Sequence, residues 1–282
     1  WKSLQPIAGG TRQEHSTGAT GSKILIIGGM VNGDSIDKVE IYDTQKDSWS
    51  NGPPLPVAMH HPNIASVDDN IYVLGGLTGK TWAPTGKSFK YDATANKWVE
   101  LAEMTNNPSG SSVLGVSGKI VYVAGGLQTN GANRTSGRAL ASYDIAANKW
   151  TTHEVLLPEG RDHAGGGLID GVLYVIGGRL GTPTSTHGTT LALNLTAESP
   201  KWVEKAPIPT KRGGFPSIVL GKKVFTFGGE GNSAPDSKGV FPQVEVYDTT
   251  TDKWTSLPTL KTPRHGFQGT VIGNTIYLPG GG

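Results

Sequence analysis

Along this chain, short runs of β-branched and apolar residues alternate with polar turns, and a recurring subset of the runs stops at paired glycines. The stretch 160–179 shows the unit most clearly. It has a charged start (Arg161, Asp162, His163), a small-residue run through Leu168 and a tight turn at Ile169-Asp170-Gly171, then the run Val172–Ile176 closed by Gly177-Gly178. Runs of this length bounded by turn residues read as strands. The glycine pairs begin at Gly28, Gly75, Gly125, Gly177, Gly228 and Gly280, intervals of 47, 50, 52, 51 and 52 residues. Tryptophans keep the same interval at Trp1, Trp49, Trp98, Trp150, Trp202 and Trp254, with Trp82 alone off it. Between glycines and tryptophan sits a Tyr-Asp pair at Tyr42-Asp43, Tyr91-Asp92, Tyr143-Asp144 and Tyr247-Asp248, replaced in the fourth copy by Leu193-Asn194.

A fixed period decides the fold before any local reading does. A strand ending in Gly-Gly, then Tyr-Asp, then Trp, at about fifty residues, resembles the kelch repeat, and the resemblance covers essentially the whole chain. It implies an all-β fold with one domain over residues 1–282: a six-bladed kelch-type β-propeller of four-stranded antiparallel blades around a central channel. Five blades are expected at about 12–50, 58–100, 107–152, 160–204 and 211–256. The sixth takes two strands from 267–272 and 275–278 and its outermost strand from 1–4, so the ring closes between the N- and C-terminal strands. Its third strand is not found within these 282 residues. The family includes adaptors, lectin-like binders and enzymes, so the resemblance leaves the activity open.

In a four-stranded meander the first and third hairpin turns share one face, and the second-to-third-strand connections share the other with the links between blades. The former are tight; the latter are long, at 30–37, 77–87, 127–138, 179–188 and 230–242. Long loops on a rigid scaffold are where binding is built. The blade-to-blade links enter that face beside the channel through six windows. They are Arg12-Gln13-Glu14-His15, Met59-His60-His61-Pro62, Ser109-Gly110-Ser111-Ser112, Arg161-Asp162-His163-Ala164, Arg212-Gly213-Gly214-Phe215 and Arg264-His265-Gly266-Phe267. Five of the seven histidines and four arginines fall in them.

Arginines supply fixed donors for a carboxylate, phosphate or enolate oxygen, and histidine beside carboxylates moves protons near neutrality. The windows therefore point to acid–base catalysis of isomerase, epimerase, lyase or cyclase type on a small polar or anionic molecule, with His61, His163, His265, Glu14 and Asp162 as catalytic candidates. Arg12, His15, His60, Arg161, Arg212 and Arg264 are the substrate-binding candidates, joined by Arg179 and Glu230, which directly follow glycine pairs, and by Trp82. No cofactor is expected. The alternative is a single divalent metal held by His61, His163, His265 and Glu14. Non-catalytic, lectin-like binding of a carbohydrate or other ligand is the second functional reading, with Trp82, Phe89, Phe215, Phe241 and Phe267 as stacking faces. A protein-interaction scaffold is the third.

Composition narrows these classes. With no cysteine there is no disulfide and no thiolate, which excludes the copper-radical oxidases that share a kelch-type propeller and need a Tyr-Cys cross-link. The formal net charge of +2 contains no long block of like charge, so neither nucleic acid nor a membrane is an expected partner. The sequence Gly75-Gly76-Leu77-Thr78-Gly79-Lys80-Thr81 falls one residue short of a phosphate loop, and Pro84 blocks the helix such a loop needs. Sequons at Asn133 and Asn194 fit exposed positions and point to a secreted, glycosylated monomer.

Overall fold

In the computed structural model, which describes residues 1–130 and 133–282, the apolar runs form the strands. Ser16–Thr20, Lys23–Ile27, Val39–Asp43 and Ser48–Asn51 pair in that order as an antiparallel sheet. The same order recurs in four further sheets, giving five four-stranded blades of a β-propeller. The sixth repeat contributes a two-stranded sheet, Thr270–Ile272 with Thr275–Tyr277. Residues 1–4, expected as an outermost strand, carry no strand. Core residues lie between neighbouring blades: Leu25, Ile27, Val39 and Ile41 of the first pack on Ile71, Val73, Phe89 and Tyr91 of the second.

The periodic residues are fasteners. In each of four blades the repeat tyrosine lies directly across from the tryptophan, as in Tyr42↔Trp49 and Tyr247↔Trp254. The tyrosine hydroxyl donates to the turn residue two before that tryptophan, 2.8 Å from Asn96 and 2.7 Å from Asp252. The aspartate that follows tyrosine accepts the turn's N–H groups; Asp144 takes those of Ala146 and Ala147. Each hairpin then grips the link that follows the preceding blade. The Ala206 N–H donates to Asp252 at 2.9 Å, and the Ala206 carbonyl accepts the Trp254 indole N–H at 2.8 Å. Ala102 is held in the same way by Asn148 and Trp150, and Gln5 by Asp47 and Trp49. Trp1, though largely exposed, donates to Thr259 O at 3.0 Å and sets its ring edge-on to Phe227.

Paired glycines make the blade-to-blade joint on the inner side. The Gly29 N–H donates to Met59 O and the Gly229 N–H to Arg264 O. A Cβ on the preceding residue, Gly28 or Gly228, would stand 2.4 Å from that same carbonyl, and both have φ near +60°. Only glycine permits the approach.

One residue per repeat closes a ring around the axis. The N–H of Glu14 donates to Gly266 O, Gly266 to Gly214 O, Gly214 to His163 O, His163 to Ser111 O, Ser111 to His61 O, and His61 to Glu14 O. All six residues have φ between +51° and +64°. The Nε2–H of buried His15 adds a second tie between the first blade and the last residues, donating to Pro279 O at 3.1 Å.

Three of the long connections carry paired strands, and those that start at Arg179 and Glu230 are closed by single bridges to Thr186 and Val240. Asn70–Thr78 and Ala83–Asp92 extend past the second blade as one hairpin with Trp82 near its tip. Leu127–Asn130 and Asn133–Ser136 form another in the third blade; its residues 131 and 132, part of the expected loop 127–138, lie outside the described residues.

Two outcomes follow. Trp254→Phe removes an indole hydrogen bond worth about 1 kcal/mol, whereas the buried Trp202 N–H, the group lost in Trp202→Phe, has no partner among the described residues. Urea denaturation is expected to show the larger loss for Trp254→Phe; equal losses would contradict the fastener role. For His15, burial first and the charge of Arg12 second hold the imidazole down at about 4. The unfolded chain takes up a proton near pH 6.5 and the folded chain does not, so this stability is complete above pH 6.5 and drains as pH falls toward 4. Between pH 7 and pH 5 the loss is about 2 kcal/mol. His15→Asn is expected to flatten the fall in melting temperature over that range, and an unchanged slope would count against it.

Candidate functional site

Each window has one register against the axis. Its first residue turns into its own blade, the second pairs with the start of the long hairpin, the third belongs to the ring, and the fourth begins the channel wall. The second-position pairs are Gln13↔Met30, His60↔Leu77, Gly110↔Leu127, Asp162↔Arg179 and Gly213↔Glu230, with His265 bonded to Gly282 in the same manner. This register brings Glu14, His61, Asp162, His163, Arg179 and Glu230 together as one buried cluster.

The contacts run without a gap. Glu14 Oε2 is 2.8 Å from His61 Nε2, and His61 Nε2 is 2.8 Å from His163 Nε2. His163 Nδ1–H donates to Asp162 Oδ1 at 2.6 Å, and Arg179 donates from Nε to the same oxygen at 2.9 Å and from Nη2 to His163 Nε2 at 3.0 Å. Arg179 Nη1 pairs with Glu230, whose Oε2 is 3.8 Å from His265 Nε2. Asp162 Oδ2 accepts from the Ser136 hydroxyl and from the Gly181 N–H. His60 donates from Nε2 to Gly79 O at 3.2 Å, and its Nδ1 lies 2.5 Å from His61 Nδ1. Trp82, itself at φ +62°, covers His60 and His61 with ring centroids 5.0 and 4.8 Å away, and the Arg134 guanidinium lies over Trp82. Gly214 and Gly266 leave room for the carboxylates; a Cβ on them would meet Glu230 at 3.0 Å and Glu14 at 2.7 Å.

Proton positions follow from these partners. His163 holds its hydrogen on Nδ1, against Asp162, so Nε2 presents a lone pair to Arg179. His60 holds its hydrogen on Nε2, against a carbonyl, so His61 must donate from Nδ1. Glu14 Oε2, His61 Nε2 and His163 Nε2 therefore converge as three acceptors with no donor among them. Burial alone would push the Glu14 carboxyl up, but once a further proton sits between it and His61, the charge and hydrogen bond of that imidazole, with the fields of His163 and His265, outweigh burial and hold the carboxyl below the ordinary range. Asp162 is held low in the same way, burial being outweighed by His163, Arg179 and Ser136. Burial, then the charge of Arg179, pushes His163 down against its bond to Asp162. Burial, then the charge of His61, brings His60 to about 4. Three carboxylates against one guanidinium leave the cluster acidic.

Other candidates lie elsewhere. Arg12 bonds to the carbonyls of Ile26, Gly28 and Lys38 and pairs with Glu40. Arg161 is spent on Gly177 and Thr189, Arg212 on Thr210, Thr226 and Glu245, and Arg264 on Leu278. The structure does not bring these four arginines to the axis. His15 sits at the channel wall and His265 at the half-buried edge of the cluster. Ser136, Gly181 and Arg134 escaped the sequence reading, since nothing but their place in a long connection marked them.

The cavity that meets the cluster lies inside the channel. A cavity of about 160 Å³ begins at Glu14, His61, Ser111 and His163 and is walled by the first residues of the innermost strands, among them Ser16, Thr17, Asn63, Ser112, Ser217 and Gln268. His15 Nδ1 and Thr17 Oγ1, both buried in this wall, have no hydrogen-bond partner among the described residues.

Known proteins share this pattern. The KLHDC2/KLHL20/DRC7 Kelch-repeats domain matches residues 63–281, and the Kelch motif matches residues 11–56. Kelch-like protein terF of Aspergillus terreus is 34% identical over 96% of this chain and 61% of its own length. Kelch-like protein 25 of Xenopus tropicalis is 25% identical over 87% and 41%. The chain thus spans about two-fifths to three-fifths of these relatives. A solved structure, described as the structure of YjhT, superposes with a TM-score of 0.79 over 99% of this chain and 92% of that one at 18% identity, a likeness of fold alone. With glycine pairs, Tyr-Asp and tryptophan each accounted for by a contact that recurs from blade to blade, and the family match spanning most of the repeats, this chain belongs to the kelch-repeat β-propeller family.

Proposed function

We propose that this chain processes a small polar molecule by acid–base chemistry of isomerase, epimerase, lyase or cyclase type at the axis of the propeller. The observation that carries the reading is the meeting of two carboxylate–imidazole pairs, Glu14–His61 and Asp162–His163, Nε2 to Nε2 at 2.8 Å, at the end of a polar cavity. A proton held among the three acceptor atoms is an acid poised against the cavity, and Asp162 fixes the orientation of His163 as an acceptor needs. The closed backbone ring supports six blades in all, with Trp1 at the outer edge of the sixth.

The substrate is uncharged or positively charged where it meets the cluster. Capture of an anion by window arginines is not favoured, because Arg12, Arg161, Arg212 and Arg264 are bound to their own blades and Arg179 is balanced by Asp162 and Glu230. A cavity of about 160 Å³ suits a molecule of few heavy atoms. Ligand binding without turnover is the second reading, and the unpartnered His15 Nδ1 and Thr17 Oγ1 favour it, since a hydroxylated ligand would satisfy both. Asn194, exposed at the end of the strand Thr190–Asn194 and accepting from Thr196, supports the secreted, glycosylated form.

The test is a proton-exchange screen. Small hydroxy-carbonyl compounds and sugars are incubated with the protein in D₂O and followed by ¹H NMR for loss of C–H signal or change of isomer. Native protein is expected to turn over at least one, and His163→Ala and Glu14→Gln to lower its rate by about 10²–10⁴-fold. Binding of a compound with no exchange or isomer change in native protein would replace the catalytic reading with the second one.

A further inference from the structure

We propose that Glu14, His61 and His163 form a binding site for one divalent first-row transition-metal ion, with zinc(II) suited to the donor set. These three offer one ligand atom each, all within 4.8 Å of one another and all buried or nearly so. The argument is the orientation of their lone pairs. A histidine that ligates a metal donates its other ring N–H to a carboxylate, carbonyl or similar partner, which fixes the tautomer and aims the free nitrogen. Here His163 donates from Nδ1 to Asp162, and Asp162 is held in turn by Ser136 and the Gly181 N–H. His61 donates from Nδ1 to His60, which is anchored on Gly79 O. Both Nε2 atoms and the Glu14 carboxylate are left aimed at one point.

Spacing and charge agree. Ligands ~2.1 Å from a cation stand roughly 3–3.4 Å apart; the two adjacent pairs here, at 2.8 Å, need a few tenths of an ångström of opening, and the third, Glu14 with His163, lies within 4.8 Å and closes as they open. The same atoms belong to ring residues whose backbones are bonded on both sides, so the set is preorganised. Three carboxylates against Arg179 leave a double negative charge that one dication balances. Arg179 Nη2 must withdraw from His163 Nε2 but keeps its contacts to Asp162 and Glu230. Two imidazoles and a carboxylate leave further positions open for water or a substrate oxygen, and all three residues line the channel cavity. His265, 3.8 Å from Glu230, stands outside the set.

A dication competes with the shared proton for these atoms and acts on the same cavity as a Lewis acid. The inference rests on the reading above only in taking the axial cluster as the working site, and metal binding is read without substrate. Chelator-stripped protein is titrated with ZnCl₂ by calorimetry, cobalt(II) is followed by its visible absorption, and zinc-soaked crystals are measured at the zinc edge. One ion per chain among Glu14, His61 and His163 is expected. Glu14→Gln, which preserves shape, and His163→Ala should each weaken binding by on the order of 100-fold, while Asp162→Asn costs about 10–100-fold through orientation alone. His265→Ala should leave affinity unchanged. Melting curves show whether each variant folds. No binding to native protein, or binding that Glu14→Gln and His163→Ala leave intact, overturns the site. Turnover that persists in stripped protein showing no zinc binding overturns the metal and leaves the acid–base reading standing.

Discussion

The closed ring of backbone hydrogen bonds at the axis is the constraint on which the site depends. A hydrogen bond from each repeat to the next is possible there because all six residues hold left-handed backbone conformations. Glycine occupies that conformation without strain, whereas other residues are held in it at a cost of roughly 1–2 kcal/mol. Gly214 and Gly266 follow the easy choice; Glu14, His61, Ser111 and His163 do not. Strain of this kind persists only where the surrounding structure over-determines it. Here the outer fasteners and the inner glycine joints clamp each link on both sides of the ring residue.

The ring also converts a linear window into four directions. One residue earlier the chain pairs with the start of a long hairpin, two earlier it points into its own blade, and one later it starts the channel wall. His60 and His61 are neighbours in sequence, yet one supports and the other reaches the axis. Asp162 and His163 divide in the same way. Adjacent residues thereby become a side chain and its orienting partner, an arrangement a flat strand, whose neighbours face opposite sides, cannot provide.

Much of the fold was legible because its signals are steric and repeat. Gly28 cannot carry a Cβ against Met59 O, Tyr247 and Trp254 must lie across a hairpin, and Asp252 must sit where it can hold the Tyr247 hydroxyl and the Ala206 N–H. The fourth copy shows the rule by breaking it: Leu193 stands opposite Trp202 with no hydroxyl to offer the turn, and the indole N–H has no partner among the described residues. The site was legible as a set of windows but not within them. Sequence shows that Arg12 and Glu14 are two residues apart; only the register reveals that one is tied to its own strands and the other faces the axis. Arg179 and Glu230 could be found by their place after a glycine pair. Ser136 could not, because a hairpin position has no period to mark it.

Nothing in the architecture requires a charged centre. A propeller with glycine at every ring position would keep the same hydrogen bonds, avoid the backbone strain and bury no carboxylate in the ring itself. This chain instead places an acid and two imidazoles at three of the six positions and adds Asp162, Arg179 and Glu230 behind them. Burying such groups is costly unless each is paired, and here the pairing is complete except where Glu14, His61 and His163 meet. The four window arginines give the contrasting case: Arg12, Arg161 and Arg212 are buried and Arg264 half-buried, and each is bound within its own blade, leaving nothing directed at the axis. The first and third window positions thus separate residues that hold blades from residues that hold a site, and the three lone pairs that meet at the axis favour positive charge there.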